Sequence, residues 1–126
     1  MIAEITQPAT FRARIGGPER RMFLAWAGNE VVGFAATTRL DATTVELAGI
    51  IVRESMTGRG AGGALVHATR QASEASGYRW LVVKTERRNT RAIGFYRRHL
   101  FSEERDATVD VGDVAVPVVE LRLRLG

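Results

Sequence analysis

The chain has 126 residues, of which 45% are hydrophobic and 25% charged, and a formal net charge of +4 at pH 7. That length fits one domain over residues 1–126, able to bury roughly two thirds of the surface its unfolded chain exposes, so no covalent staple is required. There is no cysteine, and His67 and His99 are the only histidines, so disulfide scaffolds and thiolate metal sites are excluded and no metal site is expected.

Residues 1–6 read as a short strand. Pro8 and the Gly16-Gly17-Pro18 cluster break the stretch that follows, with room for a helical turn between them. Arg21–Trp26 alternates as a strand, Gly28-Asn29 makes a hairpin turn, and Glu30–Leu40 returns. After a turn at Asp41–Thr43, Val45–Val52 (VELAGIIV) is the most apolar strand of the first half. A helix over Gly62–Ser76 follows. Ala61, Leu65, Ala68, Ala72 and Ala75 make its apolar stripe, and His67, Arg70, Gln71 and Glu74 its wetter side. Gly77 ends it with a left-handed cap. Trp80–Glu86 (WLVVKTE) is a buried strand. Asn89 caps a second helix running to about His99, with Ala92, Ile93, Tyr96 and Leu100 on its apolar face. Ala107–Val111 and Val114–Leu125 are strands joined at Gly112-Asp113, and Pro117 marks a bulge or an edge. The order describes a mixed α+β fold in which antiparallel hairpins flank one central β-α-β unit. The long apolar last strand offers a strand-mediated homodimer.

No apolar run is long enough to span a bilayer, so no membrane association is expected. The first residues, MIAEITQPATFRAR, lack a basic start followed by an apolar block, and a cytoplasmic protein is the expectation. Eighteen residues are Lys or Arg, and only Lys84 is lysine. They are scattered among fourteen acids, with no basic stripe carrying stacking aromatics, which argues against a nucleic-acid partner. A net positive balance still suits an anionic ligand.

The segment TGRGAGGAL, from Thr57, places four glycines just before a helix. Unpartnered N–H groups and the helix dipole make such a helix start a phosphate site, and glycine lets the phosphate approach closely. Arg59 adds charge at the rim. The alternative is that the glycines only make a tight strand-to-helix turn. A Walker A loop is absent, since no Lys-Ser or Lys-Thr follows Gly63. Gly58-x-Gly60-x-x-Gly63, with Glu86 ending the next strand, matches a dinucleotide fingerprint. Against that match, Arg53–Thr57 intervene between strand and first glycine, and no further parallel crossover completes a mononucleotide half.

Two segments together resemble a known family. ELAGIIVRESMTGRGAGGAL resembles the acyl-CoA-binding segment of the GNAT superfamily of N-acyltransferases, whose pattern Arg/Gln-x-x-Gly-x-Gly/Ala falls on Thr57, Gly58, Arg59, Gly60, Ala61 and Gly62. NTRAIGFYRRHLF resembles the second signature of that family, with Asn89, Ala92, Phe95, Tyr96 and Phe101 in its slots. Thr57 stands where the family usually has Arg or Gln. Leu100 stands where glycine usually precedes the Phe. The region before the first hairpin is shorter than the two helices the family usually places there. The resemblance implies a GNAT-like fold with shortened or absent N-terminal helices. It implies acetyl-CoA as acyl donor and an amine as acceptor, with direct attack in a ternary complex. Its implied cofactor-binding residues are Ile50, Ile51, Val52, Thr57, Gly58, Arg59, Gly60, Ala61, Gly62, Gly63, Asn89 and Tyr96.

Acyl transfer from a thioester to an amine requires a neutral amine, donors for the oxyanion and a proton for the leaving thiolate. For the base, the resemblance points to Glu46. Strand alternation puts Glu46 on the face of Ala48, Ile50 and Val52, and an apolar face raises a carboxylate's pKa toward the range useful for proton abstraction. The alternatives are a Glu near a strand end that reaches water or pairs with an Arg, while a water chain serves as base. For the acid, the second signature points to Tyr96, which the helical spacing explains equally well as a core residue. For the oxyanion, the resemblance implies a backbone amide near Ile50–Val52. Gly49 in an otherwise branched strand suggests a bulge that parts this strand from Trp80–Glu86, or simply relieves crowding. Asn89 is a helix cap, a cofactor ligand or both. His67 and His99 read as surface residues. A non-catalytic acyl-CoA-binding sensor or subunit of the same fold is the alternative function.

Overall fold

The computed structural model describes residues 4–6, 20–56, 58 and 60–126. The Pro8 and Gly16-Gly17-Pro18 breaks, with the turn expected between them, lie outside the described residues, as do Thr57 and Arg59.

Among the described residues seven strands form one sheet, in the order β1-β2-β3-β4-β5-β7-β6. β1 (Glu4–Thr6), β2 (Arg20–Ala27), β3 (Glu30–Arg39) and β4 (Thr44–Val52) pair antiparallel in chain order. A short 3-10 turn at Glu54–Met56 leads to helix α1 (Ala61–Ala75) and then β5 (Trp80–Glu86), which lies parallel to β4. Helix α2 (Thr90–Arg98) leads to the hairpin of β6 (Ser102–Val111) and β7 (Val114–Arg124). β7 runs antiparallel between β5 and β6.

Both helices cover one face of the sheet. Leu65 and Val66 of α1 and Ile93 and Tyr96 of α2 share a core with Ala35, Leu47, Leu81, Val83 and Leu121. The apolar stripe of α1 is turned slightly from the one expected. Ala75 is exposed, whereas Thr69 and Ser73 are buried. Their hydroxyls donate back to the carbonyls of Val66 (2.8 Å) and Thr69 (2.7 Å), which removes the cost of burying them. Gly77, at φ +86°, ends α1 as anticipated: its N–H donates to Glu74 O at 3.0 Å and Tyr78 N–H to Ser73 O at 3.1 Å.

One feature of the last hairpin differs from expectation. β6 begins at Ser102 rather than Ala107. Its first residues are charged and read as a loop, but they are tied down by ion pairs, Arg97 to Glu104 at 2.5 Å and Arg105 to Glu120 at 3.0 Å. From Val118 onward the last strand is internal, with β5 on one side and β6 on the other, while over Val114–Pro117 it pairs with β6 alone. Pro117 sits one residue beyond the last β5 pairing, at Val118, where β7 has a partner only in β6. A missing N–H is harmless at such a local edge.

The feature that shapes the site is in β4. Ala36 pairs with Gly49 but Thr37 with Leu47, which leaves Ala48 as an extra residue. Beyond it β4 also leaves β5: only Thr44, Val45 and Glu46 pair, with Trp80, Leu81 and Val82. The two parallel strands therefore fork. A Cβ on Gly49 would meet nothing within 4 Å, so the glycine is not there to relieve crowding.

Candidate active site

The bulge at Ala48 resets the alternation of β4, because one extra residue moves every later side chain to the opposite face. Val45 and Leu47 face the helices before it, and Ile50 and Val52 face them after it, opposite Ala35 and Gly33. Glu46 consequently lies on the other face from Ile50 and Val52, which corrects the expectation that they share one. Its carboxylate instead pairs with Lys84 at 3.6 Å on the face away from the helices.

The bulge also decides which main-chain groups of β4 are free. Arg53 N–H donates to Val32 O at 2.7 Å, and the carbonyl of Ile51 points toward Gly33, so both turn toward β3. Groups alternate along an antiparallel strand. The N–H and C=O of Ile50 and Val52 are therefore directed to the opposite edge, which faces the fork. Ile51 is not brought to the site: its main chain serves β3 and its side chain is 59% exposed on the far face.

A cleft of about 530 Å³ opens on the helix side of the fork. Ile50 and Val52 form one side. Gly58, Gly60, Gly62 and Gly63 form the second, and Arg91, Ala92, Phe95, Tyr96, Arg98 and His99 of α2 and its end form the third. Every one of the four glycines has a local reason to be glycine. Gly58 (φ +81°) and Gly60 (φ +89°) adopt left-handed backbone. A Cβ on Gly62 would come within 3.1 Å of the Phe95 ring, and one on Gly63 within 2.9 Å of His99 Cε1. The absence of Cβ atoms thus lets the start of α1 lie directly against α2. Gly60 is the N-cap of α1 and no side chain caps the helix, so its first-turn N–H groups have no side-chain acceptor among the described residues. Ala61 is buried beneath them, 1% exposed, and contributes to the helix start through its main chain only.

Opposite the glycines, Tyr96 is both core and lining. Its ring packs edge to face on Phe95 (5.2 Å) and Phe101 (5.4 Å), and burial raises its pKa above the ordinary tyrosine value, so it holds its proton throughout the physiological range. Among the described residues its hydroxyl has no hydrogen-bond partner. Asn89 is exposed and outside the cleft lining, and its Oδ1 accepts from Ala92 N–H at 3.1 Å, so it is a helix cap.

His99, Arg91 and Arg98 were missed as lining residues. His99 is half-buried against Phe95 at 4.6 Å, not a free surface residue. Burial, and then the charge of Arg98, lower its pKa below the usual imidazole value. The signal that could have found it is its place one helical turn from Phe95, on the side of α2 that meets the glycines. His67 is exposed on α1, as expected.

A mostly antiparallel sheet thus forks beside an uncapped, glycine-walled helix start. The model of the acetyltransferase (GNAT) family matches residues 3–101, and the chain belongs to that family. Solved structures agree with the fold. A GNAT family acetyltransferase from Elizabethkingia anophelis with acetyl-CoA bound superposes with a TM-score of 0.77 at 18% identity, covering 97% of each chain. A Bacillus subtilis acetyltransferase in complex with CoA gives 0.75 at 17%, over 98% of this chain and 99% of that one. The ribosomal-protein-S18-alanine N-acetyltransferase from Escherichia coli gives 0.73 at 20%, over 93% of this chain and 76% of the other. No curated protein sequence matches significantly. Among the described residues no helix is long and apolar enough to cross a membrane.

Proposed function

We propose that this protein is an acyl-CoA-dependent N-acyltransferase that moves acetyl from acetyl-CoA to a primary amine by direct attack in a ternary complex. The observation that carries the reading is the fork: β4 leaves β5 after Glu46 and turns the main chain of Ile50 and Val52 toward the opening, beside the glycine-walled start of α1.

In this reading the diphosphate of the carrier lies at the first-turn N–H groups of α1, where the helix dipole favours negative charge, with Gly58 and Gly60 allowing close approach. Arg91 and Arg98 add cationic side chains across the cleft. The amide-bearing arm pairs with the free edge of β4 at Ile50 and Val52, and a main-chain N–H there faces the thioester oxygen. Tyr96 gives a proton to the leaving thiolate; its raised pKa keeps that proton available. Glu46 takes the proton of the acceptor amine from the other face of the sheet, through the fork. The absence of cysteine agrees with direct attack rather than an acyl-enzyme.

A sensor that binds acyl-CoA without turnover is the second reading. It is favoured by one observation: Glu46 is outside the cleft lining and already faces Lys84. Thiol release and thermal stabilisation separate the two. A transferase releases free thiol from acetyl-CoA in the presence of at least one member of an amine panel. A sensor gains stability, about 2.7 kcal/mol at 100 times the dissociation constant, and releases no thiol with any amine. Stabilisation by NAD and not by CoA would overturn both.

A further inference from the structure

Of the eighteen Lys and Arg residues, seventeen are arginines that keep their protons at any ordinary pH and are no nucleophiles. Lys84 is the single side-chain primary amine of the chain. Its position is not that of a free surface charge. It stands on β5 two residues past Val82, the last residue of that strand to pair with β4. It therefore stands beside the opening of the fork, outside the cleft lining and on the face away from the helices, from which it reaches the cleft through the fork. Val82 is the partner of Glu46, and side chains two apart on a strand share a face, so Lys84 and Glu46 project to the same side. Their charged groups meet at 3.6 Å with side chains 35% and 22% exposed. On its other flank Lys84 pairs in register with Glu120, whose carboxylate is held by Arg105 at 3.0 Å. Glu46 is thus the proton acceptor at hand. Arg122, the other cation near this row, has its guanidinium stacked 4.1 Å from the Trp80 ring centroid.

We propose that Lys84 is a self-acetylation site, taking the acetyl group of a thioester bound in the cleft. This rests on the acetyl-CoA reading above, in which the thioester lies against the free edge of β4 and faces β5 across the fork. The Lys84 ammonium passes one proton to the Glu46 carboxylate, and the neutral amine attacks the thioester carbonyl carbon. The C–N bond forms as the C–S bond breaks, the nitrogen gives up its second proton to water, and the thiolate leaves and is protonated by Tyr96 or water. Any proton given by Tyr96 is restored from solvent, and Glu46 returns its own to solvent. The balance is acetyl-CoA plus ammonium giving the amide, CoA thiol and one proton. The product is an uncharged acetamide at the fork, and the ion pair with Glu46 is gone.

The test is intact-mass and peptide-mapping mass spectrometry of the full chain incubated with acetyl-CoA, without an acceptor amine. The expected result is one acetyl group, on Lys84, gained at a rate independent of protein concentration and suppressed by excess CoA. Gain should be at least about tenfold slower in Glu46→Gln and in chain unfolded by urea, since positioned proton transfer is absent in both. Lys84→Arg should gain none at a side chain. An unmodified Lys84 in protein that acetyl-CoA stabilises thermally overturns the proposal and leaves the transferase reading standing. An unmodified Lys84 with no such stabilisation overturns both. Equal gain in the urea-unfolded chain overturns it as well, because the lysine would then react as any free amine does.

Discussion

Tyr96 and Phe101 close the end of α2 on each other. Phe101 N–H donates to Tyr96 O at 3.0 Å, and their rings meet edge to face at 5.4 Å. Leu100 N–H donates to Arg97 O at 3.1 Å in the same motif, and this obliges Leu100 to take φ +74°. The position demands what glycine supplies, and the chain carries a leucine there with its side chain 63% exposed.

Leu100→Gly should therefore stabilise the protein. A left-handed non-glycine residue costs about 1–2 kcal/mol, and the extra freedom of unfolded glycine returns part of that, about 0.4–1 kcal/mol. A net gain near 1 kcal/mol, a few degrees in Tm, is expected in denaturant and thermal melts. A loss of stability would show that the leucine makes contacts that outweigh its backbone strain.

Gly33 and Gly49 should respond in opposite ways to alanine. A Cβ on Gly33 would lie 2.9 Å from the Ile51 carbonyl oxygen and 3.3 Å from both Leu65 and Val52, with backbone on one side and core on the other. Gly33→Ala should cost about 1–3 kcal/mol, as overpacking does. Gly49→Ala meets open space at an ordinary φ, and should be neutral or stabilising by up to about 1 kcal/mol. Urea melts of both variants decide this, and equal losses would contradict the bulge geometry.

Those glycines also mark what the sequence could and could not tell. Strands at Arg20–Ala27, Glu30–Arg39 and Trp80–Glu86 and both helices fall within a residue or two of where periodicity and turn residues place them. Gly49 pointed to a bulge, but periodicity alone does not say which residue is extra. Ala48 is, and that one residue sets Glu46 on the opposite face from Ile50 and Val52. The start of β6 was illegible for another reason. Ser102–Asp106 is an edge segment held by Arg97, Arg105 and Arg87, so charge partners replace the apolar alternation a strand normally shows. The closeness of Gly62 to Phe95 and of Gly63 to His99 is a helix–helix contact, which no local pattern encodes.

His99 should make stability fall in acid. Its pKa is lowered in the folded protein, by burial first and Arg98 second, so the unfolded chain takes up the proton at higher pH. The associated stability is full above the unfolded value of about 6.5 and is lost as pH falls through it toward the lowered folded value. Wild type should lose more Tm than His99→Gln between about pH 8 and about pH 5. An anionic ligand in the cleft favours the charged ring, so this difference should shrink when CoA is bound. Identical pH profiles would remove His99 from the cleft's electrostatics.

Tyr96→Phe should reduce thiol release by about 10²-fold or more while leaving stabilisation by acetyl-CoA nearly unchanged. Steady-state kinetics beside a thermal-shift titration tests this. Unchanged turnover would assign Tyr96 to the core alone.

The placement of the diphosphate at the start of α1 is tested most directly by titrating isotope-labelled protein with acetyl-CoA and following backbone amide resonances. The amides of Gly60, Gly62 and Gly63 should shift strongly, along one saturation curve shared with Ile50 and Val52. Saturable binding that leaves those amides unmoved, or no binding at all, would contradict the account.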